Sequence, residues 1–146
     1  MPVRWSDMDA FGHINHARVV TLMEEARIEW LRTGHDGTLL DPSAQGTPGA
    51  GGDLSSLIMS AMIVHVDIRY QAQLRHEDSP LRISMWIKEF RSVDFTIGYE
   101  IRSRRTPDSA RAACVASTQM AVVDIEAHTL RRLTATEKDQ LRAWSR

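Results

Sequence analysis

The sequence predicts an α+β fold in which an antiparallel β-sheet wraps around one long central α-helix. Apolar residues recur at helical spacing over residues 16–33, and four strand-like runs follow this stretch along the chain. The chain has 146 residues with 42% hydrophobic content, which suffices for one core but not for two. We therefore expect a single domain spanning residues 1–146.

The predicted central helix has a broad apolar face. Its members recur every three or four positions: Val19, Leu22, Met23, Ala26, Trp30 and Leu31. Gly34 is expected to end the helix, and an early strand is expected to precede it. Such a wide apolar face needs a cover, and the sheet that follows can provide one.

Glycine and proline interrupt the sequence between residues 34 and 56, which predicts a long loop that could cover a site. The strand-like runs come next, over residues 58–70, 81–90, 95–104 and 110–123. Apolar residues alternate with polar ones in the first and third runs, at Val64, Val66, Ile68 and Tyr70 and at Phe95, Ile97, Tyr99 and Ile101. One face of the sheet should therefore be covered and the other wetter. Thr134 is expected to cap a terminal helix that ends near Trp144.

Charge and cysteine content exclude several classes of function. The formal net charge is −1, and no basic run interleaves with aromatic residues, so we expect no nucleic-acid partner. The single cysteine, Cys114, can support neither a disulfide framework nor a thiolate zinc site. No stretch approaches the roughly 18 apolar residues of a membrane span. These features predict a cytoplasmic protein with no membrane partner.

A short segment just ahead of the predicted helix concentrates carboxylates, imidazoles and a glycine. It reads Asp7, Met8, Asp9, Ala10, Phe11, Gly12, His13, Ile14, Asn15 and His16. The start of a helix offers unpaired backbone N–H groups and a positive dipole end, which can hold the negative oxygen that develops when a carbonyl is attacked. Asp9 would supply the attacking or base group.

These residues resemble the hotdog-fold acyl-CoA thioesterases, in particular the group that includes 4-hydroxybenzoyl-CoA thioesterase. The resemblance spans nearly the whole chain. Its strongest part runs from residues 3–9 through residues 12–16 to residues 24–27, and further support comes from residues 66–70, from Asp78, and from residues 91–101.

The resemblance implies a hydrolase that cleaves an acyl-CoA thioester to a free acid and coenzyme A. Asp9 would be the nucleophile or general base, and the backbone N–H of His16 would be the oxyanion donor. Gly12 would permit the tight turn, while Asn15 and the side chains of His13 and His16 could orient Asp9, water or the thiolate. No metal and no cofactor are expected. The family also implies a homodimer or homotetramer with sheets paired edge to edge and active sites where two protomers meet.

Other interpretations of these residues remain open. Asp7 is expected to be structural, as a partner for Arg4, and Glu24 and Glu25 to form ion pairs, for instance with Arg27. One alternative function is a non-catalytic module that binds acyl-CoA or acyl-carrier protein. Another alternative function is a metal-dependent hydrolase that uses Asp9 with His13 and His16.

Two further groups of residues are candidates by composition. Five basic residues could contact the phosphates of coenzyme A: Arg75, Lys88, Arg91, Arg104 and Arg105. Four large or flexible side chains could line an acyl pocket, although core packing is the commoner explanation for all of them: Met23, Trp30, Met59 and Met62. Cys114 is expected in the core rather than as a nucleophile.

Overall fold

The computed structural model describes residues 1–8, 13–33, 54–57 and 59–146. Its main elements are α1 (His16–Thr33), β1 (Ala61–Tyr70), β2 (Arg82–Phe90), β3 (Asp94–Arg102), β4 (Cys114–Asp124), β5 (Thr129–Leu130) and α2 (Ala135–Ala143). The strands pair antiparallel in the order β1-β4-β3-β2, and the short β5 pairs with β4. The predicted antiparallel sheet is therefore confirmed.

Helix α1 packs its predicted apolar face into the core. All six residues of that face are buried: Val19, Leu22, Met23, Ala26, Trp30 and Leu31. The inward residues of β3 are fully buried as well, which confirms the alternation predicted there: Phe95, Ile97, Tyr99 and Ile101. At the far end of α1 the Trp30 ring meets the Trp144 ring edge-on, with their centroids 5.4 Å apart. Helix and sheet thus share one core.

The prediction for β1 was right about the strand and wrong about its burial. Val64, Val66 and Tyr70 were expected on a covered face, yet all three are exposed, Val64 by 56%. The reason is its place in the sheet, since β1 hydrogen-bonds to β4 along one edge and has no strand on its other edge among the described residues. Alternation of apolar and polar residues predicts a strand with one apolar face. Whether that face is buried depends on which neighbouring element covers it.

The early strand expected ahead of α1 is absent from the described residues. Trp5–Asp7 form one turn of 3-10 helix instead, followed by an isolated bridge between Met8 and Ile14. The Val3 amide is held by the side-chain oxygen of Ser79 (2.9 Å) rather than by a strand. Of the predicted loop, residues 34–53 lie outside the described residues, as does Gly34, the predicted end of the helix.

The other end of the sheet is closed by the C-terminal residues. Ser145 forms a bridge to Ile87 along the free edge of β2. On the outer face of the sheet the Trp86 ring lies directly over Gly98, where an added Cβ would stand 2.5 Å from the ring. The guanidinium of Arg146 covers that ring at 4.1 Å from its centroid. In the described part of the chain, no helix has the length and apolar character that a membrane crossing requires.

Helix α2 begins as predicted, with Thr134 as its N-cap. The Glu137 amide donates to the Thr134 hydroxyl oxygen (3.1 Å) and the Glu137 carboxylate accepts from the Thr134 amide (2.9 Å), which is a capping box. Arg131 adds two hydrogen bonds to the same carboxylate, at 2.7 and 2.9 Å. Together these interactions attach α2 to the chain that leaves β5.

Candidate active site

Among the described residues, one backbone amide in the first turn of α1 has no acceptor. Asn15 is the N-cap, and the amides around His16 are all bonded: Asn15 to the Asp7 carbonyl (2.9 Å), Ala17 to the Asn15 Oδ1 (2.9 Å), and Arg18 and Val19 to the Asn15 carbonyl (2.9 and 3.1 Å). The His16 N–H has no acceptor among the described residues. Because it lies at the positive end of an 18-residue helix, it is an available donor for an anionic oxygen.

Backbone pairing fixes the chain on both sides of residues 9–12. Met8 bridges to Ile14, and the Ile14 amide donates to the Leu74 carbonyl (2.8 Å). His13 forms an antiparallel bridge with Arg75. The segment that follows β1 therefore lies beside the start of α1.

Tyr70 also lies beside the start of α1, although its sequence position did not mark it as a site residue. Its hydroxyl donates to the His16 carbonyl oxygen (3.3 Å), which ties the end of β1 to the first turn of α1. Partial burial, with Cys114 nearby, raises the pKa of the Tyr70 hydroxyl, so it remains a donor at neutral pH. Its position at the end of a strand was visible in the sequence, but the contact across the fold was not.

Asp7 has the structural role that was expected. The residue is 1% exposed, and its Oδ2 accepts from the backbone N–H and the Nε of Arg4, at 2.9 and 3.4 Å. Glu25 reaches the same arginine at 3.4 Å, and Glu24 lies 4.0 Å from the buried guanidinium of Arg27. The expectation of ion pairing for both glutamates is confirmed.

The remaining predicted site residues divide into those that the structure places and those that it does not describe. Asp9 and Gly12 lie outside the described residues. Asn15 uses its side chain to cap α1, and the exposed His16 is the first residue of that helix. Among the described residues, a set that excludes Asp9, no three His, Cys, Asp or Glu side chains lie close enough together to hold a metal ion.

The four side chains suggested for an acyl pocket do not come together. Met23 and Trp30 are buried in the core, whereas Met59 and Met62 are 73% and 60% exposed. Met59 and Met62 line a cavity of about 220 Å³ near the start of β1, together with Val123, Asp124, Ile125 and His128. The candidate site lies at the opposite end of that strand, so this cavity does not belong to it.

Cys114 is excluded as a nucleophile by its surroundings. It is fully buried at the start of β4, and burial raises the pKa of its thiol to about 11. A thiol with such a pKa is almost entirely protonated at neutral pH.

The basic residues suggested as phosphate ligands fall at two ends of the sheet. Arg75 and the turn that holds Arg104 and Arg105 lie near the start of α1, because the Arg104 amide donates to the Asp78 carbonyl (3.2 Å) just after the His13–Arg75 bridge. Lys88 and Arg91 lie at the opposite end of the sheet, where Arg91 forms an ion pair with Asp94 at 2.7 Å. Their positions therefore favour Arg75, Arg104 and Arg105 over Lys88 and Arg91 as phosphate ligands, a distinction that charge alone could not make.

Comparison with known proteins assigns the family. A family model described as the thioesterase-like superfamily matches residues 3–144. The chain belongs to the thioesterase-like superfamily. The hotdog fold and the thioester hydrolase class that the sequence signature implied are thereby confirmed at the level of family. No curated protein matches the chain in sequence.

Solved structures of thioesterases have the same fold at low sequence identity. A predicted thioesterase from Bacillus stearothermophilus is 16% identical with a TM-score of 0.70, over 100% of this chain and 93% of that one. A thioesterase from Thermus thermophilus, complexed with coenzyme A and Zn, is 13% identical with a TM-score of 0.70, over 99% and 90% of the two chains. BH1999 gentisyl-coenzyme A thioesterase is 16% identical with a TM-score of 0.69, over 97% of each.

Proposed function

We propose that this chain hydrolyses acyl-CoA thioesters to a free acid and coenzyme A. The observation that carries the proposal is the His16 amide, which lies at the positive end of α1 and has no acceptor among the described residues, whereas the amides beside it all have one. A donor in this position matches what a tetrahedral intermediate needs, since negative charge develops on the former carbonyl oxygen. Family membership and the coenzyme A bound by the Thermus relative support the same substrate class.

Asp9 is the proposed catalytic carboxylate. It would either attack the thioester carbonyl, forming an anhydride that water then hydrolyses, or remove a proton from the water that attacks. In both routes the thiolate of coenzyme A leaves, and the carbonyl oxygen is held by the His16 N–H. Glu24 and Glu25 are less suitable, because Glu24 lies beside Arg27 and Glu25 lies beside Arg4.

We further propose that the enzyme is a homodimer, or a homotetramer made of two such dimers, built on the edge of β1 that has no neighbouring strand among the described residues. Four apolar side chains of this strand are exposed beside that edge: Met62, Ile63, Val64 and Val66. A ten-residue strand with one open edge is a template for pairing with a second copy. Because Tyr70 at its end contacts the first turn of α1, the partner would lie close to the candidate site. We also propose that the enzyme is cytoplasmic, as the sequence predicts.

The role of the His16 amide can be tested by removing one N–H. His16 is the first residue of α1, where proline is tolerated because its N–H has no helical partner. His16→Pro is expected to lower kcat for thiol release from acyl-CoA by about 100- to 1,000-fold, as loss of one oxyanion donor does. The Tm should change little.

The matched control is His16→Ala, which removes the imidazole and keeps the backbone N–H. It is expected to retain most of the activity. If His16→Ala is as impaired as His16→Pro, the side chain rather than the amide is responsible, and the oxyanion assignment is wrong.

A further inference from the structure

Trp5 is an exposed tryptophan that does not pack in the hydrophobic core. Its side chain is 79% exposed, and it lies in the 3-10 turn immediately before residues 8–16. Trp30 is buried against Trp144, and Trp86 is covered by Arg146, so three of the four tryptophans pack within the fold. Within the described part of the chain, the one ring that Trp5 meets is His76, edge-on at 6.1 Å between centroids. A broad aromatic face is left open to solvent.

Two exposed arginines, Arg104 and Arg105, lie in a turn that is hydrogen-bonded to the turn containing His76. His76–Asp78 form a 3-10 turn whose last carbonyl accepts the Arg104 amide (3.2 Å), so that turn lies between Trp5 and Arg104. Arg104 and Arg105 are the two central residues of a turn closed by the Thr106 amide and the Ser103 carbonyl (3.1 Å). Both side chains are exposed, and neither has an ion pair to any described residue.

Two other arginines at this end of the sheet already form ion pairs. Arg82 pairs with Asp108, and Arg102 pairs with Glu100 at 2.7 Å. Arg75 is intermediate, since its guanidinium lies 3.8 Å from an exposed Glu77 carboxylate and both groups remain largely in solvent. Weak exposed pairs of this kind are readily exchanged for a better anion.

We infer that this surface, defined by Trp5, Arg75, His76, Arg104 and Arg105, binds the nucleotide end of coenzyme A. The adenine would stack on Trp5, and the phosphate groups would accept hydrogen bonds from the arginines, whose planar donors match phosphate oxygens. The inference rests on the proposed function and deepens it. It names coenzyme A as the carrier, because the phosphopantetheine arm of a carrier protein has neither an adenine nor the nucleotide phosphates.

Backbone pairing provides the path from this surface to the thioester. Arg75 bridges to His13, three residues before the unaccepted His16 amide. The pantetheine arm would run from the arginines along this bridge to the start of α1. A ligand anchored at both ends holds its carbonyl in place better than one anchored at the thioester alone.

Two thioesters with the same acyl group, one of coenzyme A and one of pantetheine, test the inference. Trp5→Ala and the double variant Arg104→Gln/Arg105→Gln are expected to lower kcat/KM for the acyl-CoA by about tenfold or more, mainly by raising KM. The same variants should leave kcat/KM for the acyl-pantetheine unchanged. The matched control is Lys88→Gln/Arg132→Gln, which removes two exposed positive charges near the other end of the sheet and should behave like the wild type.

Direct binding separates this inference from the proposed function. Calorimetric titration of wild-type protein with adenosine bisphosphate, the coenzyme A nucleotide without its arm, should show binding that either variant weakens about tenfold. Binding without turnover of either thioester would contradict the proposed hydrolysis and leave the nucleotide surface supported. Equal losses on both thioesters, no difference from the control variant, or no binding of the nucleotide would each overturn the inference.

Discussion

At the scale of single residues, the two aspartates of one motif have different roles in this account: Asp7 is structural, and Asp9 is the proposed catalytic carboxylate. Asp7 is buried, and one of its oxygens accepts two hydrogen bonds from Arg4. Its carbonyl also accepts the Asn15 amide, which joins the 3-10 turn to the N-cap of α1. Asp7 therefore supports the shape of the segment, while the chemistry is proposed for Asp9.

Asp7→Ala should accordingly reduce stability rather than chemistry. Removing a buried carboxylate that accepts charge-assisted hydrogen bonds leaves the Arg4 donors unpaired, which costs about 1–3 kcal/mol of unfolding free energy. Urea unfolding followed by circular dichroism measures this loss. The protein that remains folded should release thiol at nearly the wild-type kcat. A stable variant with no activity would mean that Asp7 takes part in the reaction.

The residues that the sequence analysis missed share a cause. Tyr70 and Trp5 are unremarkable in sequence, because a tyrosine that ends a strand and a tryptophan before a turn are both common in cores. Their significance comes from contacts with His16 and His76, which are 54 and 71 positions away along the chain. Contacts of this kind follow from the assembled fold and not from local pattern.

At the scale of elements, the sequence predicted those helix bounds and caps that depend on residues close together in the chain. The bounds of α1 and the cap of α2 followed from apolar spacing and from Thr134 with Glu137 three residues later. The strand that was expected before α1 is wrong for the described residues, since the Asp7 carboxylate and its short-range bonds to Arg4 favour a 3-10 turn over an extended segment. The exposure of β1 could not be predicted either, because it depends on which other segments of the fold lie beside the strand.

Helix α2 carries a pH-dependent contribution to stability. The ion pair with Arg131, helped by the Thr134 amide and Ser56, lowers the pKa of the Glu137 carboxyl from 4.5 to about 2 in the folded chain. A lowered folded-state pKa means that the stabilisation is fully present above about pH 4.5 and is lost as the pH falls toward 2. Its size is on the order of 3 kcal/mol.

The test compares the unfolding free energy of two proteins. A comparison is needed because other carboxylates also titrate in this pH range. Wild type and Glu137→Gln are compared by urea unfolding at pH 6 and again near pH 2.5. The wild type should be more stable at pH 6, and most of that advantage should vanish at the lower pH. A constant difference between the two proteins at both pH values would show that the Glu137 charge is not what stabilises α2.

At the scale of the whole molecule, the edge of β1 is the part of the sheet that no other described segment covers. The opposite edge of the sheet is covered by the bridge between Ile87 and Ser145, whereas β1 has exposed apolar side chains and no second strand partner in the described part of the chain. The sequence predicted the sheet and its helix. The edge strand became evident only from strand order, which is set by pairings between distant segments.

Val64→Lys should break the proposed dimer, because a charged side chain on an edge strand opposes pairing with a second copy. Sedimentation velocity is expected to show a shift to monomer, with thiol release reduced at least tenfold and circular dichroism unchanged. Leu130→Lys is the control, since Leu130 is similarly exposed on β5, away from the β1 edge. A wild-type protein that is monomeric and active at the assay concentration would contradict the dimer.

The central claim is thioester hydrolysis that depends on Asp9, and the most direct measurement is thiol release from a panel of aliphatic and aromatic acyl-CoAs. Wild type, Asp9→Asn and Glu24→Gln are compared after circular dichroism and sedimentation show that all three fold and assemble alike. The account predicts turnover by the wild type and by Glu24→Gln, with kcat lowered about 1,000-fold in Asp9→Asn. Equal turnover by wild type and Asp9→Asn, or no turnover of any thioester by the wild type, would contradict it.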